Sequence, residues 1–154
     1  MRKLNPDYIK AVIRLANNCP FFKLMSLTIR ELDIGHCLLE STIDDKHRQA
    51  FGSVHGGVFA SIIDTAAFWA AHCELEETCG ITSVDLKINY LSAASNGKLI
   101  SRGRVIKLGR TLGLGEAEIT DTAGKILAYG TSTLMIIPGL GFAGNPELPP
   151  KFKS

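Results

Sequence analysis

The sequence is most informative over residues 54–74, which read VHGGVFASIIDTAAFWAAHCE. Most positions between residues 58 and 71 are apolar, and at helical spacing they cover nearly every side of a helix. A helix that is apolar all round is buried inside a fold rather than lying on its surface. We therefore predict a long central helix over residues 56–76, and the rest of the chain must supply the structure that surrounds it.

Strand-like segments precede and follow this helix. The first two are separated by Gly35 and His36, which predicts a hairpin. The last four are joined by three connections short enough for an antiparallel meander. The six predicted strands cover residues 26–34, 37–43, 81–91, 98–107, 111–120 and 126–136.

The remaining segments complete a single α+β domain over residues 1–137. Asn5 as N-cap and Pro6 at the first helical position predict an amphipathic helix over residues 6–18. A polar loop follows the hairpin at residues 44–49, and the Pro- and Gly-rich residues 138–154 predict an irregular tail. With no internal repeat and no linker, the economical fold is one antiparallel sheet wrapped around the central helix.

The composition excludes several classes of function. The 17 Lys and Arg residues against 15 Asp and Glu leave a formal charge of only +2, which argues against nucleic-acid binding. No segment approaches the roughly 18 uninterrupted apolar residues of a spanning helix, and the first residues lack the apolar run of a signal peptide. We expect a soluble, cytoplasmic protein that does not bind membranes.

The four cysteines give no metal or disulfide signature. None forms a CxxC pair, and Cys73 and Cys79 lack the usual spacing of zinc ligands. We interpret all four as reduced structural thiols, with a catalytic cysteine as the alternative. No metal is predicted, and His36, His47 and His72 have no ligand partners at suitable spacing.

Asp64 is the anomalous residue of the central helix. It lies too far from the helix N-terminus to act as a cap, and no Lys or Arg occurs between residues 58 and 71. Carboxylates in apolar surroundings are rare unless they are paired or functional. Asp64 is therefore the candidate catalytic acid; the alternative is a structural carboxylate that pairs with the sheet or faces solvent at an edge.

The sequence His55-Gly56-Gly57 opens the same helix. Its first amides are unpaired and lie at the positive end of the helix dipole, so they can stabilise a developing oxyanion. The alternative is that the glycines merely permit a tight turn while His55 packs or caps. Gly57 and Asp64 are seven residues apart, or about 10.5 Å along the axis, too far for one carbonyl to contact both. We therefore expect a homodimer whose sites combine residues from both copies.

Together with Gln49, Gly52 and residues 83–90, these motifs resemble the phenylacetic-acid-degradation-type thioesterases of the hot-dog superfamily. The resemblance covers about residues 27–137, and the residues agree in order and in spacing. It implies a hot-dog fold that pairs into dimers, often stacked into tetramers. It also implies hydrolysis of acyl-CoA or acyl-carrier thioesters, with no cofactor beyond the CoA of the substrate.

The resemblance also implies roles for individual residues. The Gly57 amide, beside Gly56, would bind the thioester oxygen, and Asp64 of the facing subunit would be nucleophile or general base. His55 would orient the loop and the substrate. The supporting polar residues would be Gln49, which holds water or substrate, and either Ser83 or Thr82, which orients the nucleophile. For Gln49 the equal alternative is an ordinary loop glutamine.

Further contacts are predicted at both ends of the substrate, the acyl group and the CoA phosphates. Phe68 could line an acyl tunnel, although core packing is the more common reason for an aromatic residue there. Basic groups at the turn formed by Lys107, Gly109 and Arg110 suit the CoA phosphates. The alternative for these charges is an ordinary solvated strand edge.

Three rival functions remain at this stage. A hot-dog dehydratase acting on hydroxyacyl thioesters needs a paired histidine and acid. An acyl-CoA-binding or sensing domain would keep the fold without the chemistry, but it has no need for a carboxylate in an apolar helix. A structural interaction module predicts no affinity for acyl thioesters.

Overall fold

The computed structural model describes residues 2–153 and contains one six-stranded antiparallel sheet that curves around a long helix. The α+β prediction is therefore confirmed, with boundaries within about two residues of the predicted ones for most elements. The helices are α1 (Pro6–Asn17), α2 (Pro20–Met25) and α3 (Gly56–Glu74), with a 3-10 turn at Asp45–His47. The strands are β1 (Leu27–Asp33), β2 (His36–Thr42), β3 (Cys79–Tyr90), β4 (Lys98–Leu108), β5 (Leu112–Thr120) and β6 (Ile126–Pro138).

Helix α3 packs directly against the backbone of the sheet. Gly103 of β4 faces Ala66, and a Cβ atom at this glycine would overlap the Ala66 carbonyl group. On β5, a Cβ atom at Gly115 would lie 3.1 Å from the Cβ atom of Ala67. Small residues on both sides thus allow a close approach, and the large apolar side chains of α3 fill the remaining core, including the fully buried Ile62 and Ile63.

The strand order is β1-β2-β4-β5-β6-β3, with every neighbouring pair antiparallel. Strands β4, β5 and β6 form the predicted meander. The extension of that meander to β3 was wrong, because β3 pairs with β6 and the connection over residues 91–97 crosses to β4. A short connection does not force two consecutive strands to pair. Here β2 and β5 occupy the two sides of β4, so β3 has no place beside it. As a result β3 is an edge strand.

A β-bulge between Ser83 and Asp85 changes the face that β3 presents to the core. Before the bulge, Ile81 is buried and Ser83 points toward α3. After it, Leu86 and Ile88 pack against the core. One extra residue therefore moves the inward positions from odd to even numbers.

Both terminal segments pack onto the sheet and α3. Asn5 caps α1 by accepting a hydrogen bond from the Asp7 amide, as predicted. Helix α2 was not predicted, because its six residues are too few to show a periodic pattern. The last residues are irregular, but an isolated bridge joins Leu4 to Phe152, and Lys151 is only 1% exposed.

Candidate active site

The Asp64 carboxylate lies half-buried at the middle of α3, where it faces the interior of two strands, β3 and β6. Its Oδ1 atom accepts hydrogen bonds from Ser83 Oγ of β3 at 2.6 Å and from Ser132 Oγ of β6 at 3.2 Å. Both hydrogen bonds fix the orientation of the carboxylate. The side chain is thus held by two neutral hydroxyl groups.

The structure places Ser83, rather than Thr82, against Asp64. Ser132 was missed by the sequence analysis, although its position offered a signal. It is a fully buried serine in a strand that otherwise points apolar residues such as Leu134 toward the core. A buried hydroxyl needs a partner, and Asp64 supplies it.

His55 is the N-cap of α3. Its Nδ1 atom accepts a hydrogen bond from the Gly57 N–H group at 2.7 Å, so the imidazole satisfies one of the unpaired amides of the first turn. The Gly57 amide expected to bind the thioester oxygen is therefore engaged in this conformation. The neighbouring Gly56 N–H donates to no acceptor within residues 2–153. Gly56 is thus the free donor at this helix end.

A cavity of about 440 Å³ lies beside Gly56. Its walls include Phe59 and Tyr90, whose rings are 6.3 Å apart. A Cβ atom at Gly56 would lie only 3.1 Å from the Tyr90 ring, so a side chain there would crowd the tyrosine. Glycine keeps this amide accessible from the cavity.

Gln49 is engaged within its own loop. Its Nε2 atom donates to Ser53 Oγ at 2.8 Å, and its Oε1 atom accepts from the Phe51 N–H group. These contacts brace the segment that leads into α3. A contact between Gln49 and substrate or water would require one of them to be exchanged.

The predicted phosphate-binding turn lies away from His55 and Gly56. Lys107, Gly109 and Arg110 are exposed in the β4–β5 turn. The adjacent Leu108 packs against the apolar cluster that contains Ala71 and Leu75, at the C-terminal end of α3. A single chain therefore does not bring this turn together with the N-terminal end of the helix.

Phe68 is half-buried one helical turn beyond Asp64 and packs against the apolar cluster that contains Ile81 and Leu134. It also lines a cavity of about 350 Å³, whose walls do not include Asp64.

Two of the four cysteines, Cys37 and Cys73, are unsuited to act as nucleophiles. Cys37 and Cys73 are buried, and burial raises the pKa of the Cys73 thiol to about 12 and raises the pKa of Cys37 as well. A nucleophilic cysteine requires the opposite shift. Across residues 2–153, no group of three or more His, Cys, Asp or Glu side chains is placed to hold a metal ion.

Another cavity, of about 510 Å³, does not contain the Asp64 site. It lies along β1 and β2 beside α1, near the edge of the sheet opposite β3. No helix within the described part of the chain has the length and the hydropathy needed to cross a membrane.

Comparison with known proteins agrees with this geometry. The thioesterase superfamily profile matches residues 51–128. Human acyl-coenzyme A thioesterase 13 is 30% identical over 130 residues, which cover 82% of this chain and 90% of that protein. Zebra fish thioesterase superfamily member 2 superposes with a TM-score of 0.72 at 27% identity, covering 82% of this chain and 94% of that one. A thioesterase from Haemophilus influenzae has the same fold, with a TM-score of 0.81, 23% identity, and coverage of 93% and 99%.

The antiparallel sheet around a central helix defines a hot-dog protein, and its central helix carries the Asp64 carboxylate. The chain belongs to the thioesterase superfamily, and its relatives include proteins described as acyl-coenzyme A thioesterases. The resemblance found in the sequence is thereby confirmed at the level of the family.

Proposed function

We propose that this protein hydrolyses acyl-CoA thioesters and that Asp64 is its catalytic carboxylate. The observation that carries the proposal is the Asp64 side chain itself, which is held at Oδ1 by Ser83 and Ser132 on an otherwise apolar helix. Relatives described as acyl-coenzyme A thioesterases support the substrate class.

The chemistry requires a carboxylate and an oxyanion donor around one carbonyl group. Asp64 either attacks the thioester carbon or removes a proton from water that attacks it; in both cases the C–S bond breaks and the thiolate leaves as CoA. The Gly56 N–H group, free at the positive end of α3, is the best placed donor for the developing oxyanion. His55 supports this donor by holding the adjacent Gly57 amide.

One chain cannot place both groups on one carbonyl. Gly56 and Asp64 are eight residues apart on α3, or about 12 Å along its axis. Reacting groups need contact distances of about 3 Å. The two halves of the site therefore come from different subunits of a homodimer.

The free edge of β3 supplies the interface for this dimer. Edge strands carry unpaired backbone groups that favour addition of another strand. Antiparallel pairing of two β3 strands about a twofold axis between Leu86 and Lys87 would set Ser83 opposite Tyr90 of the partner subunit. Because Ser83 contacts Asp64 and Tyr90 borders Gly56, this register joins the two halves.

The Asp64→Asn variant tests the catalytic assignment. The amide keeps the size of the side chain but removes the charge, so we expect release of CoA from acyl-CoA to fall by about 10³-fold or more. The measurement is thiol release from short, medium, long and aromatic acyl-CoAs. Full activity in the variant would contradict the role of Asp64. Tight binding without hydrolysis by either protein would favour a sensing domain.

Mixing two inactive variants tests the composite site. A Gly56→Val variant places a side chain against Tyr90, and it is mixed with Asp64→Asn after reversible dissociation of both. Each mixed dimer then has one intact site and one doubly altered site. We expect recovery of about a quarter of the unaltered activity, because half of the dimers are mixed and each has one working site. No recovery from mixed dimers shown to have formed would place both residues in the same subunit's site.

A further inference from the structure

The His47 imidazole is a buried polar group that the proposed chemistry does not use. The residue ends the 3-10 turn before the loop to α3, and it is only 1% exposed. Its Nδ1 atom accepts a hydrogen bond from the Asp44 N–H group at 2.9 Å. Its Nε2 atom lies 2.8 Å from the Met25 carbonyl oxygen, which can only accept, so Nε2 is the donor. Both ring nitrogens are thus engaged by backbone groups.

One side of His47 is attached to the β1–β2 hairpin. The Met25 carbonyl lies at the end of α2, and it also accepts a hydrogen bond from the buried Ser41 Oγ of β2 at 3.1 Å. The next residue, Ser26, has a left-handed backbone with φ of 54°, and its hydroxyl accepts from Lys46 Nζ at 2.7 Å. The carbonyl to which His47 donates is therefore fixed in position.

The other side of His47 leads to the start of α3. The His47 carbonyl accepts a hydrogen bond from the His55 N–H group at 2.8 Å, which closes the loop of residues 47–55 at its base. His55 in turn accepts from the Gly57 N–H group as the N-cap of α3. A shift of His47 is thus passed through His55 to the first turn of the helix.

The loop of residues 47–55 has a second, separate anchor. The Val54 N–H group donates to the Ala94 carbonyl at 2.8 Å, and Arg48 Nε donates to the Ser95 carbonyl at 2.8 Å. Both acceptors lie in the connection between β3 and β4. This anchor holds the loop beside that connection, whereas the imidazole holds the base of the loop against the hairpin. Loss of the imidazole would therefore leave the loop attached but its base free to shift.

We propose that His47 is a positioning residue, which fixes the Gly56 oxyanion donor through the base of this loop. The inference rests on the proposed function. His47 does not line the cavity beside Gly56, so it acts without touching a substrate bound there. An oxyanion donor must be preorganised, and displacement by about 1 Å can reduce the rate by about 10²-fold. His47 therefore contributes to the rate of the chemical step rather than to substrate affinity.

Three substitutions of His47 separate its two hydrogen bonds. His47→Leu removes both, His47→Asn keeps an acceptor for the Asp44 amide, and His47→Gln keeps a donor for the Met25 carbonyl. With the best substrate of the acyl-CoA panel, we expect kcat to fall by about 10- to 100-fold in His47→Leu and KM to change less than about threefold. Since the bond to Met25 ties the loop to the hairpin, His47→Gln should retain at least about threefold more activity than His47→Asn.

Asn17→Leu is the matched control. The Asn17 side chain also makes two hydrogen bonds to the backbone, both to Ile29 of β1, at 3.2 and 2.8 Å. Neither residue is hydrogen-bonded to the loop of residues 47–55 in the described part of the chain. Asn17→Leu should therefore lower the midpoint of thermal unfolding, as His47→Leu does, but change kcat less than about twofold.

Several kinetic results would overturn the inference. These are an unchanged kcat in folded His47→Leu, a rise in KM alone, or equal losses of kcat in His47→Leu and Asn17→Leu. If His47→Leu does not fold, equal kcat values in His47→Asn and His47→Gln would overturn it instead.

Hydrogen exchange of single amides, measured by NMR, tests the positioning role without any substrate. In His47→Leu we expect the His55 and Gly57 amides to exchange at least about tenfold faster, while the Ile29 amide exchanges as before. Asn17→Leu should show the reverse pattern, because the Ile29 N–H group donates to Asn17 Oδ1.

The exchange measurement separates this inference from failure of the proposed function. Faster exchange at His55 and Gly57, without acyl-CoA hydrolysis by the unaltered protein, would refute the proposed function but support the role of His47 in positioning the helix start. Asp64-dependent hydrolysis with unchanged exchange and unchanged kcat in His47→Leu would refute the positioning role alone.

Discussion

At the residue scale, the two hydrogen bonds to Asp64 are unequal. Ser83 Oγ lies 2.6 Å from Oδ1, whereas Ser132 Oγ lies 3.2 Å away. Hydrogen bonds to an ionised group are stronger when they are short. Ser83 therefore contributes more to the position of the carboxylate, and Ser132 supports it from the buried side.

Removing Ser83 Oγ should reduce hydrolysis more than removing Ser132 Oγ. A hydrogen bond to a charged group contributes about 1.5–3 kcal/mol, so we expect kcat/KM to fall by about 10- to 100-fold in Ser83→Ala. The effect of Ser132→Ala should be smaller. Ser101→Ala is the control, because this buried serine has no hydrogen-bond partner within the described residues. A larger loss in Ser132→Ala than in Ser83→Ala would contradict the ranking.

The sequence indicated which segments carry the candidate site residues, but not which of two neighbouring residues makes each contact. It singled out Asp64, yet it left Ser83 and Thr82 equivalent because a bulge in β3 cannot be read from a two-residue period. It assigned the oxyanion donor to Gly57, whose amide His55 engages in the structure. Such choices depend on backbone geometry at a single residue.

At the scale of elements, α3 was predictable because its apolar residues cover all sides, which indicates burial without any knowledge of its neighbours. The strands were predictable as elements but not in their order. The connection from β3 to β4 is short enough for the two strands to pair, yet β3 pairs with β6. The contact between helix and sheet depends on glycines that the periodicity did not single out. Gly103 is the closest of these contacts.

Adding a methyl group at Gly103 should destabilise the whole domain. The Cβ atom would overlap the Ala66 carbonyl, which belongs to the helix backbone and cannot rotate away. Overpacking of this kind costs about 1–3 kcal/mol, so Gly103→Ala should lower the free energy of unfolding by that amount or more. Urea unfolding measures it. Gly141→Ala, with nothing within 4 Å of the added Cβ atom, is the control, and equal stability of the two would refute the close contact.

At the scale of the whole molecule, Lys151 connects the C-terminal segment, residues 139–153, to the end of α3. It is a buried amine about 80 residues away in sequence from the His72 and Leu75 carbonyls, to which it donates. Burial lowers the pKa of Lys151 to about 8 from its ordinary value of 10.5. The folded protein therefore holds this proton less tightly than the unfolded chain does.

This difference predicts a pH dependence of stability. Between about pH 8 and pH 10.5 the unfolded chain binds the proton that the folded protein has lost, so the free energy of unfolding should rise with pH, by up to about 3 kcal/mol. Below about pH 8 the unfavourable burial of the charge is fully present. Urea unfolding at pH 7.5 and pH 10 measures the change, with Lys151→Met as the reference. Identical pH dependence in both proteins would contradict the prediction.

The bridge between Leu4 and Phe152 places the two terminal segments side by side. These segments pack outside the hydrogen-bonded sheet, and they contribute Tyr8 and Phe142 to one cavity. Asp64, Ser83 and Ser132, by contrast, belong to the sheet and its helix. The segments that line this cavity are therefore separate from Asp64 and the two serines that hold it. Substitutions in the two ends of the chain would change the cavity without disturbing those hydrogen bonds.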